Sequence, residues 1–259
     1  MRNRIFVMLT VTLALSVVSA VSIFQGQGQN VLTPKHETAT RVQEGVMTDQ
    51  QKKHSKLYKR YKGIAKVRDL IRQDANSSGE LTVTVLPGSP ELSPEGQSKN
   101  AFSLLDNLAA KADAVIIGNV TDKESQLTED GTFVFTDYAM KVEEVLMDNS
   151  KAHIELQRSL TVTGPGGKIV LNGRRVSVTD RSFKPMTTGG RYLFFLKYVA
   201  DTGAYQAVSE NGSFELIDNN AVLLTESPTE SRNERNLESF LSDVRIAIAL
   251  SQSDKRESK

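Results

Sequence analysis

Asp137, Glu143 and Glu144 lie within GTFVFTDYAMKVEEVL, residues 131–146, close enough in sequence to raise the chemistry of paired carboxylates. Such a pair cleaves glycosidic bonds when its acids stand about 5 to 9.5 Å apart. Whether these acids can do so depends on the backbone that carries them. Phe133, Phe135, Thr136 and Tyr138 favour a strand, with a bulge near Glu143-Glu144. Val134, Thr136, Tyr138, Met140, Val142 and Leu146 then share one nearly apolar face. Phe133, Phe135, Asp137, Ala139, Lys141 and Glu143 share the other, which turns charged after Phe135. At strand rise Asp137 and Glu143 are roughly 20 Å apart. They are not a catalytic pair, and the segment reads as a strand with its acids in water.

Other chemistry is sparse. His36, His54 and His153 are scattered without metal-ligand spacing and read as solvent-exposed. GxSxG and SxxK are missing, so the common serine nucleophiles are not indicated. GPGGKIV, residues 164–170, lacks the Gly-Lys-Ser/Thr ending of a phosphate loop and feeds a strand; it reads as a hairpin loop. Asp201-Thr202-Gly203 matches the aspartic-protease triplet, but between two strands it reads as turn chemistry. DKESQLTEDGT, residues 122–132, lacks the alternating ligands of a calcium loop. No catalytic, cofactor or metal set emerges. The hydrolase alternative would use strand-end acids such as Asp137 and Asp180.

The elements that must position these residues are mostly strands. Residues 80–86, 113–121, 159–163, 168–171, 174–178, 191–199, 204–208, 213–217 and 222–225 are apolar or β-branched runs separated by turn residues. Asn172-Gly173 is the strongest hairpin signal, since both residues tolerate positive φ. Residues 98–112 form a short helix with Phe102, Leu105, Leu108 and Ala109 on one face. Leu237, Phe240, Leu241, Val244 and Ile248 make a helical stripe near the C-terminus. The class is mainly β (α+β): an antiparallel OB-like barrel or sandwich with flanking N- and C-terminal helices.

Residues 52–74 read as a basic amphipathic helix with its stripe at Leu57, Tyr61, Ile64, Val67 and Ile71. Nine lysines and arginines against two aspartates give this segment +7, so a chain of total +1 carries −6 elsewhere. An anionic membrane surface or an acidic polymer are its candidate partners, with Lys59, Arg60, Lys62 and Lys66 as contacts. An envelope protein is the other candidate partner. Nucleic acid is not expected for an exported chain. Export is indicated by Arg2 and Arg4 ahead of an apolar run from Ile5, with small residues at Val18-Ser19-Ala20. The run extends to Phe24, long enough for an uncleaved anchor. The expected location is therefore extracytoplasmic: secreted, periplasmic or anchored. The chain has no cysteine, so it has no disulfide framework and relies on its core. The expected organisation is a signal peptide or anchor at 1–24, a polar linker at 25–51 and a basic helical or extended region at 52–111 packing on the barrel. The barrel spans 112–225, and a helix and tail span 226–259.

ADAVIIGNVTDKES, GTFVFTDYAMKVEEVL and FKPMTTGGRYLFFLKY together resemble a pattern of uncharacterised exported bacterial proteins. They are also similar to the OB-type barrel of netrin-like modules, found in tissue inhibitors of metalloproteinases. The matching positions are Gly118, Val120, Thr136, Asp137, Tyr138, Gly190, Tyr192 and Leu196, within residues 112–217. The resemblance implies the fold and adds Thr136, Asp137 and Tyr138 as binding candidates. It implies no protease inhibition, because those inhibitors depend on disulfides and an N-terminal cysteine. The function expected is a non-catalytic binding or interaction module of the cell envelope; a membrane-tethered structural spacer is the remaining alternative.

Overall fold

The computed structural model describes residues 40–41, 47–61, 66–73, 79–85, 101–209, 211–224 and 234–257. The expected signal or anchor segment, and most of the linker, lie outside them. Among the described residues no helix is long and apolar enough to cross a membrane.

The order begins with β1 (Thr40–Arg41), α1 (Asp49–Leu57), a 3-10 turn (Lys59–Tyr61), α2 (Val67–Gln73), β2 (Leu81–Val85) and α3 (Ala101–Lys111). It continues with the long strands β3 (Ala114–Leu127) and β4 (Val134–Asp148), then β5 (Ser159–Pro165), β6 (Gly167–Leu171) and β7 (Arg174–Asp180). The last elements are β8 (Arg191–Val199), β9 (Ala204–Ala207), β10 (Ser213–Ile217), β11 (Asn220–Leu223), β12 (Arg235–Asn236) and α4 (Leu237–Glu257).

β3 pairs antiparallel with both β4 and β8, β4 with β5, and β8 with β9. A parallel bridge, Val162 to Tyr205, joins β5 to β9, so the pairings run in a closed ring. One side chain in two from each strand enters the ring: Ile116, Tyr138, Met140, Val162, Tyr192, Phe194 and Tyr205 share one core. The opposite face of β3 and β8 carries Val115, Ile117, Leu193 and Phe195, which α3 and α4 cover with Leu105, Leu108, Phe240, Val244 and Ile248. Among the described side chains, the predicted stripes of both helices are thus the faces that bury. The predicted bulge in β4 is present. Ile117 pairs with Glu144 but Gly118 with Val142, leaving Glu143 as the extra residue.

Two expectations need correction. The GPGG segment is not a hairpin: β5 and β6 do not pair with each other, and the chain changes sheets there. β6 and β7 leave the ring to form a second sheet in the order β1, β6, β7, β2, whose outer two pairings are parallel. The corner is tight. Gly166 has φ +83, its N–H donates to the Val134 carbonyl at 2.8 Å, and a Cβ there would lie 2.7 Å from the Val178 carbonyl oxygen. The basic segment is also not one helix. α1 ends at Leu57, the 3-10 turn follows, and α2 begins only at Val67.

The Asn172-Gly173 hairpin joins β6 and β7 as expected, with φ 52 and 77. The two turns differ in a testable way. Gly173→Ala meets open space and costs about 1 kcal/mol of left-handed strain. Gly166→Ala adds a collision with backbone and should cost roughly 3 kcal/mol. Urea midpoints for the two variants check the difference, and equal losses would mean that the corner yields.

Candidate functional site

α1 starts with a capping box: the Thr48 hydroxyl accepts from the Gln51 N–H at 3.2 Å, and the Thr48 N–H donates to the Gln51 side chain at 2.7 Å. From this start, His54, Tyr58 and Tyr61 fall on one side at helical spacing, and all three are buried. That side lies on the face of β4 expected to be wet. Tyr61 stacks on Phe133 with centroids 3.8 Å apart, and Tyr58 on Phe135 at 5.2 Å. The Tyr58 hydroxyl bonds Thr163 of β5 at 2.8 Å, while Ser55 accepts the Glu129 N–H at 2.8 Å. Burial pushes the Tyr58 phenol well above its ordinary range.

His54 is 1% exposed, not solvated as its sequence context suggested. Its Nδ1 lies 2.7 Å from Oδ2 of Asp137, and its Nε2 lies 3.3 Å from the Thr202 carbonyl oxygen. A carboxylate and a carbonyl only accept, so both contacts are satisfied when the ring donates from each nitrogen, as the imidazolium does. Burial alone would lower its pKa. The Asp137 hydrogen bond and charge, with the Thr202 carbonyl, outweigh that and hold the pKa above 6.5. Asp137 in turn is only 16% exposed, and its Oδ1 is buried without a hydrogen bond among the described residues. The solvated-face reading of Asp137 fails because α1 covers it.

A polar cleft of about 220 Å³ opens beside this pair, at the start of α1, lined by Thr48, Gln51, Asp122, Glu124 and Thr161 among others. Lys123 borders it with its pKa lowered by burial and by repulsion from Lys168; its ammonium donates to the Met186 carbonyl at 3.2 Å. Among the described residues no group of three or more acids or histidines is placed to hold a metal.

The other predicted residues separate into structural and exposed sets. Thr136 is 1% exposed and donates to the Gly166 carbonyl at 2.6 Å, with Ser125 at 2.9 Å, so it secures the sheet corner. Tyr138 is 1% exposed inside the ring, against Phe183. Both side chains are buried, unlike the accessible binding candidates expected beside Asp137. Lys59 and Lys66 are exposed as expected. The Arg60 side chain and Lys62 lie outside the described residues. Glu143 pairs with Arg191 at 2.7 Å and Glu144 with Arg245 at 3.2 Å. Asp180 is buried, taking the Tyr61 hydroxyl on one oxygen and Ser182 on the other. The Asp201-Thr202-Gly203 turn joins β8 to β9, as read, but also lends its carbonyl to His54. Sequence reasoning missed His54. The spacing of His54, Tyr58 and Tyr61 was the available signal, offset from the stripe assigned.

No protein-family model matches this chain, and no curated protein matches it either.

The sign of the pH effect follows from the raised His54 pKa. Its stabilisation is complete below the unfolded value of 6.5 and is lost as pH rises through the folded value. His54→Gln leaves a buried carboxylate unpaired and should cost about 3 kcal/mol near pH 6. The deficit relative to the wild type should shrink as pH rises above 6.5 and through the raised folded value. Urea midpoints across that range test this, and a deficit that grows with pH would contradict the imidazolium.

Proposed function

We propose that this chain is an exported cell-envelope protein whose OB-like barrel serves as a non-enzymatic binding module. One observation carries the non-enzymatic part: His54, the buried imidazole beside a carboxylate, has both nitrogens engaged, and Nε2 faces a carbonyl rather than a nucleophile. A general base needs one ring nitrogen free to take a proton. Asp180, the other acid considered for hydrolysis, is closed in by Tyr61 and Ser182.

The OB-like reading is supported by the order of the ring. Numbered along the chain, β3, β4, β5, β8 and β9 pair as first-second-third-fifth-fourth and back to the first, and only the third and fifth run parallel. A five-stranded barrel of the OB type has this Greek-key character. The resemblance to netrin-like modules points the same way. Export rests on the positive n-region, apolar run and small residues of the first twenty positions.

The reading predicts no turnover of chromogenic ester, phosphate, peptide or glycoside substrates above buffer. Turnover that disappears in a folded Asp137→Asn protein would establish the hydrolase instead. Cell fractionation tests export, and a full-length chain confined to the cytoplasm would contradict it.

A further inference from the structure

The arm formed by α1, the 3-10 turn and α2 divides its side chains sharply. His54, Tyr58, Tyr61, Val67 and Ile71 are buried against the body. Lys52, Lys53, Lys56, Lys59, Lys66 and Arg68 are exposed. The nearby acids neutralise little of this: Asp49 pairs with Lys52 at 3.4 Å and Asp69 with Arg72 at 4.0 Å. Lys53, Lys56, Lys59, Lys66 and Arg68 form no ion pair among the described residues, although the rest of the chain is net acidic. The body therefore does not hold the arm through these charges. It holds it through aromatic stacking and His54, and leaves the cations outward.

The composition of that outward face selects its partner. It has no exposed apolar side chain among the described residues, so it cannot insert into a bilayer without tearing its buried face from the core. It has no exposed aromatic ring on which bases would stack. Lysine dominates, and an ammonium is a point charge that suits repeated, loosely oriented anions better than a single planar pocket. Lys53, Lys56 and Lys59 recur every three residues, the first two on α1 and the third in the 3-10 turn that follows it. Asp122 and Glu124 line the cleft at the Thr48 end and repel anions there. We infer that this face docks a linear anionic polysaccharide, seated on Lys53, Lys56 and Lys59 and running away from the Thr48 end. The inference rests on the binding-module reading and names its partner class.

Fluorescein-labelled polygalacturonate, dextran sulfate and neutral dextran are the probes, used with the full mature chain and read by anisotropy. The two anionic polymers should bind, and neutral dextran should not. Affinity should fall at least about tenfold between about 25 mM and about 250 mM NaCl. The combined variant Lys53→Gln, Lys56→Gln, Lys59→Gln should lose at least about tenfold in affinity. Its thermal midpoint should not change, because none of the three side chains is buried. No binding of either anionic polymer, or equal binding by the variant, would overturn the inference and leave the module reading to the barrel loops. Preference for phosphatidylglycerol vesicles over both polymers would overturn it in favour of lipid. Depolymerisation of a bound polymer would overturn the non-enzymatic reading while leaving the docking face in place.

Discussion

A carboxylate on the outer face of β4 is covered by protein without a large penalty when the cover brings it a hydrogen-bonding or charged partner. His54 does so. Asp137 takes one ring nitrogen and the Thr202 carbonyl the other, so the imidazolium ties α1 to the first part of β4 and to the turn between β8 and β9 at once. With α1 held there, Tyr58 and Tyr61 arrive over Phe135 and Phe133. Those rings join Val67, Ile71 and the second sheet's Ile169, Leu171, Val176 and Val178 in a third core. Tyr61 then supplies the hydrogen bond that lets Asp180 stay buried. One buried charge pair therefore organises the space between the closed ring of strands and the small sheet.

This arrangement assigns separate work to the two sides of one basic segment. The inward side is part of the core, and the outward side is free to meet another molecule. Deleting residues 52–74 would remove Tyr58, Tyr61, Val67 and Ile71 from that core, and a loss of binding after such a deletion would say little about the cations. Substituting exposed lysines separates the two contributions.

Much of the fold was legible because its signals are local. The alternation in β4, the Asn172-Gly173 turn and the stripe of α4 each follow from a few neighbouring residues and survive in the structure. What could not be read depends on distant partners. β2 and β7 pair in parallel although the whole of β3, β4 and β5 lies between them in the chain, and β1 joins β6 in the same way. No periodicity in either strand names its neighbour. Asp137 looked solvated because its strand face turns polar after Phe135. The residue that covers it, His54, lies 83 positions earlier in the chain. The GPGG corner looked like a hairpin because glycine marks a change of direction without saying whether the chain returns to its own sheet. Thr136 and Tyr138 stood out for pattern, and burial explains the pattern: one secures the corner and the other fills the ring.

The most direct test of the central claim is amide hydrogen exchange, comparing residues 54–61 with β4 in the same sample near neutral pH. If the imidazolium and the stacked rings make the arm part of the core, its hydrogen-bonded amides will exchange only through the opening that releases β4. They will then share the same dependence on denaturant. Fast exchange of 54–61 by local opening, with β4 still protected, would show that the arm is an accessory to a barrel that stands without it.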